Sequence, residues 1–61
     1  MNDRDTIEEA YAEALRNLYN VLLDGFVKAS QDQKAQNSAT QRFGTGLAVA
    51  RKARDAALAL L

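Results

Sequence analysis

Residues 6–26, TIEEAYAEALRNLYNVLLDGF, decide the fold of this 61-residue chain. Apolar side chains recur there every three or four residues, as they do along one side of an α-helix. At about 100° per residue they fill an arc of about 200°, roughly double the usual apolar stripe. One neighbouring helix cannot cover so wide a face, so the stretch predicts a helix that packs against more than one other helix.

The composition around this stretch also favours helix. Proline is absent, and alanine is the most frequent residue, with 12 copies. The first helix is predicted over about residues 6–29, because Thr6 and Glu9 fit a capping box in which each side chain satisfies a free backbone N–H. Acidic residues in this first turn also complement the helix dipole.

The polar segment SQDQKAQN, residues 30–37, contains no large apolar side chain and is predicted to form the turn. A second helix is then predicted over about residues 38–61. Two starts are open: the capping box Ser38–Gln41, which begins the helix near Ala39, and Thr45 as the N-cap just before Gly46. In the first case Gly46 lies in a packed seam, and in the second it belongs to the turn.

These elements predict an all-α fold, with residues 1–61 forming one antiparallel helical hairpin. A turn centred near Lys34 would place Phe43 over Gly25, Gly46 opposite Leu22, and Arg54 beside Glu13. A lone hairpin would leave much of the wide apolar arc of the first helix wet. We therefore expect a homodimer, or a higher oligomer, in the form of a four-helix bundle.

The predicted oligomer interface combines large apolar residues of the first helix with a row of small residues in the second. Small side chains at four- and three-residue spacing allow two helix backbones to approach closely. The predicted interface residues are Leu15, Leu18, Tyr19, Leu22, Leu23, Phe26, Gly46, Ala50, Ala53 and Ala57.

No group of residues indicates catalysis, a cofactor or a metal. The chain has no cysteine and no histidine, which excludes thiolate zinc sites and Ser-His or Cys-His catalysis. Gly44 and Gly46 lack the third glycine of a dinucleotide fingerprint, because position 49 is Val49. Glu9 and Glu13 lie one turn apart on the polar side of the helix, which is typical of a solvated surface. We expect no enzyme activity.

The net charge of zero is unevenly distributed. Residues 1–24 carry six acidic and two basic side chains, and residues 25–61 carry the reverse, so the halves have net charges of −4 and +4. Halves of opposite charge suit each other as neighbours. The alternative use of the basic half is polyanion binding by Arg51, Lys52 and Arg54, doubled by dimer symmetry. The acidic first helix argues against that use, since phosphate binding needs a basic footprint.

Three functional classes follow from this sequence. The first, which we expect, is a small oligomeric protein-interaction or accessory module that binds itself and a further protein. The alternative is an RNA-type nucleic-acid-binding hairpin dimer. Association with a membrane is not expected, because the polar side of the first helix is acidic where surface-bound helices are basic. Residues 1–6 show no secretory pattern, so a cytoplasmic location is expected.

Overall fold

Two long helices make up almost the whole structure. The computed structural model describes residues 1–61 and contains α1, Asp3–Ala29, and α2, Gln33–Leu58. The helices pack side by side as an antiparallel hairpin, which confirms the predicted all-α hairpin. The hairpin measures 45 × 18 × 7 Å, so it is a slab only one helix thick.

The first helix begins three residues before the predicted start. Asn2 is the N-cap, and its side-chain oxygen accepts a hydrogen bond from the backbone N–H of Asp5 at 2.9 Å. The predicted capping box at Thr6 is therefore wrong: Thr6 lies within the helix, and its hydroxyl donates to the carbonyl of Asn2. Asparagine caps a helix as well as threonine does, and Asp3 and Asp5 add acidic side chains to the first turn.

The turn is much shorter than predicted. Ser30 ends α1 with a positive φ of 56°, and its backbone N–H donates to the carbonyl of Phe26. Gln36 donates its side-chain N–H to the carbonyl of Ser30 at 2.6 Å, which ties the start of α2 to the turn. The turn thus spans only residues 30–32 instead of residues 30–37.

The second helix begins before either of the predicted starts. Asp32 is the N-cap, and its carboxylate accepts from the backbone N–H groups of Lys34 and Ala35 at 3.1 and 3.2 Å. The starts at Ser38 and at Thr45 are both wrong, because glutamine and alanine are good helix formers once a cap precedes them. The helix also ends at Leu58 rather than at Leu61.

The shorter turn changes the register of the hairpin. A β-carbon at position 25 would lie 3.0 Å from that of Ala39, and one at position 46 would lie 2.6 Å from Cδ2 of Leu18. The predicted pairs Phe43–Gly25 and Gly46–Leu22 are therefore wrong by about one helical turn. Because the turn is shorter than predicted, each residue of α2 lies about one helical turn closer to the N-terminus of α1 than predicted.

The contact between the helices is thin. Ala39, at 5% exposed, is the only buried residue, and it lies in α2 just past the segment that was predicted to form the turn. Its small side chain fits against Gly25, where the two backbones come close. The larger apolar residues along the seam, such as Leu18 and Leu22, are only half buried.

Neither helix is both long and apolar enough to cross a membrane.

Candidate interaction surface

One broad side of the hairpin carries a row of large apolar side chains from each helix. On α1 and on α2, a row at three- and four-residue spacing points to this side. We call it the front face, and it consists of Glu8, Ala12, Leu15, Tyr19, Leu23 and Phe26 of α1 with Phe43, Leu47, Arg51, Arg54 and Leu58 of α2.

Contacts between the helices confirm that these two rows share one side. Phe43 of α2 lines the same surface depression as Leu15 and Tyr19 of α1. Arg54 of α2 stacks on Tyr11, with its guanidinium carbon 4.4 Å from the ring centroid, and it lies close enough to Glu8 to feel its charge. The rows therefore meet across the seam in the middle of the front face and again nearer the chain termini.

The front face exposes large apolar groups to solvent. Tyr19 is 54% exposed, Leu23 is 49% exposed and Phe26 is 37% exposed. Leu15, Phe43 and Leu47 beside them are half buried. Single exposed apolar residues are ordinary, whereas a continuous row of this size is typical of interaction surfaces in general.

The total exposed area supports the same conclusion. The chain exposes 4756 Å², whereas a folded monomer of 6.7 kDa is expected to expose about 3,900 Å². The excess of about 850 Å² is close to the ~800 Å² that each partner contributes to a standard protein interface.

The opposite side of the hairpin, which we call the back face, is smaller and more polar. It contains Asn17, Val21, Asp24, Lys28, Arg42 and Val49. Val21 and Val49 line a shallow groove over Gly46, and they are 70% and 63% exposed. Lys28 and Asp24 form an ion pair at 3.0 Å on the same side. The back face therefore has no row of large apolar side chains.

Most of the predicted small-residue row lies between the two helices of the same chain. Gly46 faces Leu18, and Ala50 and Ala57 line a groove that they share with Ile7. Ala53 lines the same groove but stays exposed. These residues let α1 and α2 approach closely, so their first role is to form the hairpin.

The part of the surface that α2 contributes was not predicted from the sequence. Phe43, Leu47 and Leu58 were not among the predicted interface residues, although they lie beside the exposed residues of α1. The four-residue spacing of Phe43 and Leu47 was the available signal. The wrong register had placed Phe43 over Gly25, where it would have been buried within the hairpin.

The three candidate polyanion-binding residues have different surroundings. Arg51 and Lys52 are exposed and form no ion pair. Arg54 is only 26% exposed at its side chain, and it pairs with Asp55 at 3.0 Å. The predicted contact between Arg54 and Glu13 is wrong, because Glu13 pairs with Arg16 within α1.

The surroundings of Arg54 stabilise its charge. Its Nε donates a hydrogen bond to Asp55 at 3.1 Å, and this bond is the main reason that the pKa of Arg54 is raised above its ordinary value. Partial desolvation opposes the rise, while the nearby charges of Asp55 and Glu8 add to it. Arg54 therefore has partners within the chain, and of the three predicted polyanion-binding residues only Arg51 and Lys52 form no ion pair.

Acidic side chains do not converge on a common point. No three carboxylates of the chain lie close enough together to hold a metal ion. The polar depression on the outer side of α2 is lined by Ser38, Gln41, Arg42 and Thr45, and it is shallow. The front face is thus the most developed surface of the molecule.

A comparison of the chain with protein families, curated proteins and solved structures found no match.

Proposed function

We propose that the chain works as a homodimeric interaction module, in which two hairpins stack front face to front face to form a four-helix bundle. The observation that supports this proposal is the excess of exposed surface, which equals what one partner gives to a standard interface. The occupant is a second copy of the chain, because an identical slab matches the front face in length, width and apolar character. The module has no catalytic role in this proposal.

Dimerisation supplies the stability that the single hairpin lacks. One buried alanine is a small core for 61 residues, and a chain of this size without disulfides gains little stability from its own core. Stacking would bury Tyr19, Leu23 and Phe26 together with Phe43 and its neighbours. Folding and association are then one process, and the outer surface of the bundle is left to bind a further protein.

Thermal unfolding at several concentrations tests this proposal. Dilution from about 100 µM to about 1 µM should lower the melting temperature by several degrees, because mass action stabilises an assembly only while its subunits remain associated. Circular dichroism at 222 nm follows the loss of helix. A melting temperature that does not change over this range would contradict the dimer.

The alternative proposal, polyanion binding, is supported by the free side chains of Arg51 and Lys52. Arg51 belongs to the front face, so the proposed dimer presents only its two copies of Lys52 away from the interface, which is a small footprint beside the acidic side chains of α1. We therefore expect only weak binding to a labelled RNA hairpin or DNA duplex at about 50 mM salt, and none at about 200 mM, because few phosphates are contacted.

Fluorescence anisotropy at both salt concentrations measures this binding. The control is the variant Arg51→Ala/Lys52→Ala, whose mass in solution is measured alongside to show that the assembly is intact. Submicromolar binding at the higher salt that is lost in this variant would favour the nucleic-acid function over the proposed protein-interaction function.

A further inference from the structure

The front face is divided along its length into an apolar half and a charged half. Towards the turn it presents Tyr19, Leu23, Phe26 and Phe43. The charged side chain nearest to them is Arg16, which lines the edge of the depression beside Tyr19 and pairs with Glu13 of its own helix. Its charged members all lie towards the open end, where the chain termini meet: Glu8, Arg51 and Arg54. Arg54 is stacked on Tyr11 there, so its position is fixed.

The two helices also differ in charge. Within Asp3–Ala29 there are six acidic and three basic side chains, so α1 has a net charge of −3. Within Gln33–Leu58 there are five basic side chains and one acidic side chain, so α2 has a net charge of +4. The slab thus has an acidic long edge and a basic long edge.

Two symmetric arrangements can stack one front face on another. If the two-fold axis runs parallel to the helices, both turns lie at the same end, and α1 of each subunit covers α2 of its partner. If the axis runs across the helices, the turns lie at opposite ends, and α1 covers the partner's α1. Both are closed dimers that bury the same face.

The arrangement with both turns at the same end, the same-end arrangement, fits both the division of the front face and the charge difference between the helices. It stacks the apolar half of one subunit on the apolar half of the other, and it leaves Arg51 and Arg54 opposite the charged half, near the partner's Glu8. Every helix then has neighbours of opposite charge. The opposite-end arrangement would instead press Glu8 onto the partner's Leu23 and Phe26. It would press these arginines onto the turn-proximal half of the partner's α2, which carries Phe43 and no carboxylate, so each charge would incur a large desolvation cost without a partner.

We infer that the subunits pair with both turns at the same end, so that acidic α1 of each chain lies on basic α2 of the other. This inference rests on the proposed homodimer and assigns its geometry. Complementary charge on the edges fixes which helices meet, and matching apolar halves fix which ends meet.

Distances between spin labels distinguish the two arrangements, and a chain without cysteine allows a label at one chosen position. In the Gln31→Cys variant, a label sits at the tip of the turn. The same-end dimer predicts a label separation near the ~10 Å interaxial distance plus the lengths of the labels. The opposite-end dimer predicts a separation close to the 45 Å length of the hairpin.

A second position provides the reciprocal control. Labels at Ala59→Cys, at the open end, should also lie close together in the same-end dimer. In a mixture of Gln31→Cys and Ala59→Cys chains, the distance between the two positions should be long. Long distances within each variant and a short one in the mixture would overturn the inferred pairing but keep the dimer. Absence of any intermolecular dipolar coupling would overturn the dimer itself.

Discussion

The variant Tyr19→Asp is expected to dissociate the dimer and to lose most of its helix at micromolar concentration. Tyr19 lies in the middle of the apolar row on the front face and is 54% exposed in the single hairpin. Each subunit of the dimer would bury an unpaired carboxylate. Burying one such carboxylate costs ~2 kcal/mol, so the two in the dimer weaken association by ~4 kcal/mol. Since ~1.4 kcal/mol corresponds to a factor of ten, the dissociation constant rises by about 1,000-fold. Such dimers often have no stable folded monomer.

The matched control is Val27→Asp. Val27 belongs to the same helix and is 70% exposed, but it points away from both the front face and α2. This variant carries the same new charge and should keep the mass of the dimer and its melting curve within a few degrees. Sedimentation velocity on both variants makes the comparison. Equal behaviour of the two would show that the front face is not the interface.

The second large effect is expected from Gly46→Leu. A β-carbon at this position already lies 2.6 Å from Cδ2 of Leu18, so a leucine side chain would overpack the seam. Gly44, two residues earlier in the same helix, has no atom within 4 Å of its β-carbon position. The Gly44→Leu variant should therefore become more stable by up to ~1 kcal/mol, through helix propensity alone. Gly46→Leu should be less stable than that control by ~1–3 kcal/mol.

The same substitution also tests the register of the hairpin. If Gly46 faces Leu18, then Leu18→Ala should make room for the new leucine and restore part of the lost stability. Leu22→Ala should not, although Leu22 was the partner predicted from the sequence. Urea unfolding of the two double variants measures the difference. Recovery with Leu22→Ala instead would contradict the register of the structure.

The sequence was sufficient to predict the hairpin but not its register. The period and the width of the apolar arc on residues 6–26 indicate a helix with several neighbours, and this holds for any length of the turn. The register depends on where α2 begins, and Asp32, Ser38 and Thr45 are all good N-cap residues. Local cap chemistry cannot choose among them. The packing of Ala39 against Gly25 favours the earliest, and this contact exists only in the folded chain.

The candidate surface could be predicted on one helix and not on the other. Tyr19, Leu23 and Phe26 were assigned to the interface because the first helix has more apolar residues than one neighbour can cover. On α2 the row of small residues was assigned to the interface instead. The structure places Gly46 and Ala50 of that row in the seam with α1. Phe43 and Leu47 lie beside that seam. Their role depends on the register, so an error of one turn was enough to hide it.

Sedimentation equilibrium of the intact chain tests the homodimer most directly. At tens of micromolar we expect a mass of twice the 6.7 kDa of one chain, in equilibrium with a monomer that appears only on dilution. A single species with the mass of one chain, and with the helix content of the structure, would contradict the four-helix bundle and the function proposed for the front face.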